Sequence, residues 1–185
     1  MGYKSIGIIF MACLMACNSE YAQKNVAKMM QADTLICQQE GDQVVINYTD
    51  SGKLKAKIKV KKLLGYKKEG NEILKMPMGV KGEFFNDSGK IESYLTAEKG
   101  VSYQAQKITE VTQNVVVMNN KGEKLNTEKL IWDQRKQIIY TDKFVKITTK
   151  NEVLTGEGME SKQDFSNWVI KKPRGIISLQ KDSIK

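Results

Sequence analysis

The sequence has no histidine, only two prolines and only three cysteines. Without histidine, the chain lacks the commonest general base and one of the commonest zinc ligands. It also contains no P-loop, dinucleotide fingerprint, zinc-ligand cluster or nucleophile elbow. We therefore predict that the chain is not an enzyme and that it binds no cofactor and no metal ion.

The cysteines do not form a disulfide framework, because two of them fall in an N-terminal segment that looks like a targeting signal. Lys4 is followed by an apolar run over residues 6–16, which is shorter than the roughly 20 residues of a membrane-spanning helix. The run ends in Leu-Met-Ala-Cys, which resembles a bacterial lipoprotein cleavage box, so Cys17 is the predicted lipid attachment site and Cys13 a weaker rival. Cys37 is then interpreted as a small, half-buried apolar residue.

The length and these signals predict one folded domain behind a tether. We place a lipoprotein signal peptide at 1–16, the lipidated cysteine and tether at 17–33, a β-domain at 34–180 and a tail at 181–185. The chain has 185 residues and a formal net charge of +9, of which +8 remains beyond Lys4. Nucleic acid is not an expected partner, because the predicted signal exports the chain.

Three stretches share one design, in which an apolar residue is followed by polar turn formers, a glycine, a charge and a new strand. Their glycines are Gly52, Gly89 and Gly122, and they are interpreted as structural turns. After Gly52, Leu54, Ala56 and Ile58 alternate with lysines, which is typical of a strand with one apolar and one wet face.

Further strands are predicted at 114–118, 144–149, 152–155 and 168–171, with Pro173 ending the last of them. No helix is predicted beyond the signal region. A polar turn at 133–136 would bring Trp132 next to Ile138 or Tyr140. The pattern as a whole predicts two antiparallel sheets packed face to face.

The stretch from Gly122 to Val145 carries a resemblance to a known family. Gly122, Leu125, Thr127, Leu130 and Trp132, followed by Tyr-Thr-Asp at 140–142 and by Gly156-Glu-Gly158, resemble the pattern of LptC, the periplasmic component of the lipopolysaccharide-export ABC transporter. The resemblance runs from about residue 44 to residue 177. It implies an all-β, open, twisted β-jelly roll of antiparallel strands of the OstA/LptC-like type.

The resemblance also implies a function: the domain takes lipopolysaccharide acyl chains into an apolar groove. It would receive them from the membrane subunits of the ABC transporter and pass them to an LptA-like periplasmic bridge protein by strand-to-strand docking. The chain would sit at the periplasmic face of the inner membrane, held by its lipid anchor. Gly156 and Gly158 would be further structural turns.

The resemblance and the strand pattern together give candidate sites. Trp168, Val169 and Ile170 are the expected docking strand, and an early strand near residues 44–48 would face the transporter. Candidate lining residues are Leu54, Ala56, Ile58, Ile91, Leu95, Leu125, Leu130, Trp132, Ile138, Val145 and Ile147. Lys53, Lys55 and Lys57 are candidates for binding headgroup phosphates, but the favoured interpretation is a solvated strand face that discourages edge aggregation.

Two alternatives stay open on the residues alone. Inward apolar side chains are needed both by a filled sandwich and by an open groove, so the strand pattern does not separate them. The chain could also be an envelope lipoprotein that binds a hydrophobic or glycan ligand as a monomer, without assembling a bridge. Many LptC proteins have a transmembrane helix where this chain has the predicted lipid anchor.

Overall fold

A computed structural model describes residues 37–178, and these residues contain eleven strands and no helix. Alternating apolar and polar residues over long stretches favour strands, which bury one face and expose the other. The strands are β1 (Cys37–Asp50), β2 (Lys53–Lys68), β3 (Asn71–Met76), β4 (Val80–Phe85), β5 (Ile91–Ala97), β6 (Lys99–Tyr103), β7 (Ile108–Asn119), β8 (Lys124–Asp133), β9 (Ile138–Thr148), β10 (Glu152–Lys162) and β11 (Trp168–Ser178).

All eleven strands belong to one antiparallel sheet, which corrects the expectation of two separate sheets. The strands follow one another as a meander. β3 and β4 lie end to end beside β2, and β5 and β6 lie end to end beside β7. The sheet folds back on itself, because Tyr48 on β1 and Phe84 on β4 both contact Trp132 on β8. Backbone hydrogen bonds between neighbouring strands continue through the bend, so the strands are not divided into two sheets.

The core lies on the inner face of this folded sheet. On β2, Ala56, Ile58 and Val60 are buried, as the alternation with lysines predicted. On β5, Ser93, Leu95 and Ala97 point the same way. The described residues thus have an all-β, jelly-roll-like fold, as expected from the sequence.

Gly52, Gly89 and Gly122 lie between strands and have φ values of 77°, 76° and 81°, which favour glycine. The turns at Gly89 and Gly122 contain the same pattern of hydrogen bonds from the backbone to an asparagine side chain. Asn86 Oδ1 accepts hydrogen bonds from the backbone N–H groups of residues 88 and 90, and Asn119 Oδ1 does the same for residues 121 and 123. An Asn in this position mimics a backbone turn, which explains why the motif recurs.

The prediction that Gly156 and Gly158 form turns is wrong, because both belong to a strand. Gly156 and Gly158 lie inside β10 and are buried, at two register shifts rather than in a loop. A Cβ on Gly156 would lie 2.4 Å from Ile170 Cγ2 and 2.4 Å from the Lys172 carbonyl oxygen. The absence of a side chain at residue 156 therefore allows β11 to approach β10 closely.

Two strand boundaries also differ from expectation. The turn after β8 covers residues 134–137, so Trp132 pairs with Ile139 rather than with Ile138 or Tyr140. β11 continues through Pro173 to Ser178, because an edge strand tolerates a residue without a backbone N–H.

Cys37 is exposed at the start of β1 rather than half-buried. Cys17 and the predicted segment boundaries near residues 16, 33 and 180 lie outside the described residues.

Candidate functional site

The centre of the inner face holds most of the predicted lining residues. They are fully or nearly buried at Ala56, Ile58, Leu95, Leu125, Leu130, Trp132, Val145 and Ile147. Leu54 and Ile91 are half-buried at the beginnings of their strands. Ile138 needs correction: it is half-buried at the start of β9, and its neighbour Ile139 joins the core instead. The cause is that the turn before it lies at residues 134–137, one residue later than predicted, which shifts the alternation by one residue.

This central interior is filled by side chains. The cavity between Ile58, Phe84, Leu130 and Trp132 measures about 20 Å³, which is close to the space for one water molecule. Of the two arrangements left open by the sequence, the centre of the fold therefore has the packed one.

The two edge strands are packed less completely. Among the described residues, β1 pairs only with β2, and β11 only with β10, so each has a free edge. The inner-face side chains on these strands are half-buried against the core; they are Val44, Ile46 and Tyr48 on β1 and Trp168 and Ile170 on β11. Val44 also lines a hollow of about 420 Å³, far larger than the cavity at the centre.

Each edge strand has one stretch that is protected against pairing with another strand and one stretch that is not. On β1, Asp42 lies 3.3 Å from Lys62 Nζ, and Glu40 hydrogen-bonds the same ammonium group, which raises the pKa of Lys62. On β11, charged residues and Pro173 follow Ile170. Charges and prolines discourage another strand from pairing. The stretches that contain neither charged residues nor prolines are residues 43–49 of β1 and 168–170 of β11. In the second stretch, the side chain of Val169 is 67% exposed.

One end of the fold carries a pocket of about 290 Å³ that is lined mainly by polar and charged residues together with Tyr48 and Trp132, and we call it the end pocket. The hairpin tips after β6, β8 and β10 meet there, joined by backbone hydrogen bonds from Gln134 to Lys107 and from Gln163 to Gln137. The β1–β2 hairpin reaches them from the other side of the fold, where Gln137 Nε2 donates to Asp50 at 3.0 Å. The lining residues are Tyr48, Thr49, Asp50, Lys55, Lys107, Trp132, Gln134, Arg135, Gln137 and Gln163.

Sequence reasoning did not find this pocket, although it named Lys55 and Trp132. The other lining residues lie in separate turns, and nothing in their local sequence pattern indicates that the turns meet. The Trp132 indole N–H donates to Gln163 Oε1 at 3.1 Å, and the Tyr48 ring lies edge-on to Trp132 with centroids 5.1 Å apart. Trp132 therefore borders both the end pocket and the apolar cavity.

The three lysines proposed for headgroups have neighbours within the fold. Lys55 Nζ lies 2.5 Å from Asp87, and this hydrogen bond, with a further contribution from Lys53, lowers the pKa of the Asp87 carboxyl. Lys57 Nζ lies 5.9 Å from the centre of the Phe85 ring. These contacts favour a structural role on the strand face, while Lys55 also borders the end pocket.

Comparison with known protein families identifies the family of this chain. A family model described as lipopolysaccharide-assembly, LptC-related, matches residues 6–172. The chain belongs to the LptC family. Among curated proteins, no sequence matches it.

Membership in the LptC family establishes the function in outline. The family takes part in lipopolysaccharide transport as a component of the Lpt transporter, associated with the cell envelope and the inner membrane, and it is not a family of enzymes. In the described residues, no group of three or more His, Cys, Asp and Glu side chains is placed to hold a metal ion. Nor does this part of the LptC chain include a helix of the length and apolarity that a membrane crossing requires.

The residues that carry the LptC pattern mostly have structural roles here. Leu125 and Leu130 are in the core. Thr127 Oγ1 donates to the Phe144 carbonyl oxygen at 2.8 Å, where the β8–β9 register shifts. Trp132 differs from these, because it contacts both the core and the end pocket.

Proposed function

We propose that this chain binds lipopolysaccharide acyl chains on the inner face of its jelly roll and passes them along the periplasm. A lipid on Cys17 would hold it at the periplasmic face of the inner membrane. The chain would receive lipopolysaccharide from the membrane subunits of the ABC transporter, with residues 44–48 of β1 facing them. It would deliver its cargo to an LptA-like bridge protein that pairs with β11.

The observation that carries the proposal is the half-burial of the apolar side chains on both free edges. A filled centre of about 20 Å³ has no room for acyl chains, so cargo must displace side chains where packing is weakest. Ile46 and Ile170 are half-buried against the core, and neither strand has a second hydrogen-bonded neighbour among residues 37–178. Each acyl methylene kept from water contributes about 0.8 kcal/mol, which favours entry along such an apolar margin.

The docking step uses the same edges. The unpaired N–H and C=O groups of an edge strand can add a strand from another chain. Residues 168–170 offer three uncharged positions for this pairing, before the charges and Pro173 that follow.

Photo-cross-linking tests the proposal with matched positions on opposite faces of one strand. A photoreactive residue at Ile46 or Ile170 should capture lipopolysaccharide when the ABC transporter is present and supplied with ATP. The matched position Val45, which is 52% exposed on the outer face of β1, should capture little. Equal capture at Ile46 and Val45, or capture at neither, would contradict the proposal.

The same method tests the docking strand. A photoreactive residue at Val169 should trap a second β-domain protein of the bridge. Capture of only another copy of this chain, or of nothing, would instead favour the monomeric envelope lipoprotein.

A further inference from the structure

We propose that the end pocket binds the phosphorylated sugar of an anionic glycolipid, with Trp132 between this subsite and the apolar interior. The inference rests on the proposed function, since it assigns the headgroup of the same cargo to a place in the fold. It differs from the headgroup site suggested by the sequence, which lay along Lys53, Lys55 and Lys57.

The charges of the end pocket favour an anion. Its lining has three cations, Lys55, Lys107 and Arg135, against one carboxylate, Asp50. The carboxylate already accepts from Gln137, and Lys55 is paired with Asp87.

Lys107 and Arg135 are the two lining cations that are left when Lys55 is paired with Asp87, and together they outweigh the single negative charge of Asp50. Within residues 37–178, the Lys107 ammonium has no ion-pair partner. Arg135 uses Nη2 to donate to the Ala105 carbonyl oxygen at 2.6 Å, which leaves further N–H groups of its guanidinium for a ligand. An arginine and a lysine that line the same pocket match the charge and donor needs of a phosphate group.

The other lining groups favour a sugar. Tyr48 presents an aromatic ring in the pocket, and apolar ring faces pack well against the C–H groups of a sugar. Gln163 uses its Oε1 to accept from Trp132, so its amide N–H groups are left to donate to hydroxyls. A volume of about 290 Å³ is at the low end for small-molecule pockets, which suits one sugar with its phosphate rather than a whole glycolipid.

Trp132 makes the arrangement amphipathic. It lines the end pocket, and it also lines the small cavity formed by Ile58, Phe84 and Leu130. A glycolipid with its sugar phosphate in the pocket would have its acyl chains directed past Tyr48, which also lines the pocket, along the half-buried inner face of β1.

The two tryptophans of the chain give a direct test by NMR. Glucosamine 6-phosphate added to the full chain, labelled with ¹⁵N, should shift the indole N–H signal of Trp132. The Trp168 indole donates to Glu123 and does not line the pocket, so its signal serves as an internal control. Glucosamine and inorganic phosphate, added separately, should each shift Trp132 less.

Three results would overturn the inference. The Trp132 signal could stay in place, Trp168 could move equally, or inorganic phosphate alone could reproduce the whole shift. The last result would make the pocket a site for free phosphate only.

A charge reversal tests the assigned cation. Lys107→Glu should weaken glucosamine 6-phosphate binding about tenfold, as expected for the loss of a charged hydrogen bond. Lys121→Glu is the matched control, because Lys121 is also an exposed turn lysine but does not line the pocket. Equal binding by the two variants would disprove the role of Lys107.

The experiment separates this inference from the proposed function. Capture of lipopolysaccharide at Ile46 with no sugar-phosphate response at Trp132 would refute the headgroup subsite and leave transport intact. A Trp132 response without any capture at Ile46 would refute acyl-chain transport and retain the sugar-phosphate site.

Discussion

The centre of the sheet and its two edges are packed differently, although both present apolar residues to the same inner face. Leu125, Val145 and Ile147, on central strands, have no exposed surface. Ile46 and Ile170, on the edge strands, are only half-buried. Local stability in proteins follows buried apolar contact, so the centre should hold the fold together while the edges can open. This division suits a carrier, which must stay folded while cargo enters and leaves.

The largest expected effect contrasts one central and one edge residue. Leu125→Ala should lower the free energy of unfolding by about 3 kcal/mol, because it leaves a cavity in a filled core. Ile46→Ala should lower it by only about 1 kcal/mol, since its side chain is already partly in water. Urea unfolding of both variants measures the difference, and equal losses would show that β1 is as firmly packed as the centre.

A second prediction concerns the fit of the edge strand β11. Gly156→Ala would place a methyl group 2.4 Å from Ile170 Cγ2, so β11 must move, and we expect a loss of about 2 kcal/mol. Gly175→Ala is the control in the same strand pair, because its Cβ would meet Thr155 Oγ1 at an ordinary 3.6 Å. The two variants are compared by thermal unfolding and by capture of a bridge protein at Val169. A harmless Gly156→Ala would mean that β11 adjusts without strain.

The smallest effect comes from charges on the outer face of the central strands. Hydrogen bonds from Lys143 and Lys129 lower the pKa of Asp142 below its usual value. A lowered pKa in the folded state adds stability above the unfolded value of about 3.9, and this stability is lost as the pH falls through the folded value. The melting temperature of Asp142→Asn should therefore be slightly lower than that of the parent at pH 6, and the difference should shrink as the pH falls below about 3.9. A constant difference across this range would assign the effect to something other than the ion pairs.

The sequence predicts the strands that carry a clear period of two and the turns that contain glycine. The lysine alternation after Gly52 and the paired Asn-Gly turns are local signals, and the structure has both. The single sheet was not predictable in the same way, since local patterns do not indicate which strands share hydrogen bonds. The placement of Ile138 failed because the turn lies one residue later than predicted, and a shift of one residue moves each side chain of a strand to the other face.

The end pocket shows where sequence reasoning stops. Lys107 and Gln163 are unremarkable turn residues, and only the joining of hairpin tips from distant parts of the chain places them beside Trp132. By contrast, the glycine at residue 156 stood out in the sequence, but its reason is the approach of the Lys172 backbone, which a sequence pattern does not reveal.

The consecutive order of the strands has a consequence for how the domain forms. Most strands that pair are also neighbours in the chain, so their pairing closes only short loops, whereas β3 and β6 are joined by a longer stretch of chain. β11, the last of the described strands, is also an edge of the sheet, so it can separate from β10 and pair again without disturbing the other described strands. A strand donated by a neighbouring protein would extend the same sheet by one further strand.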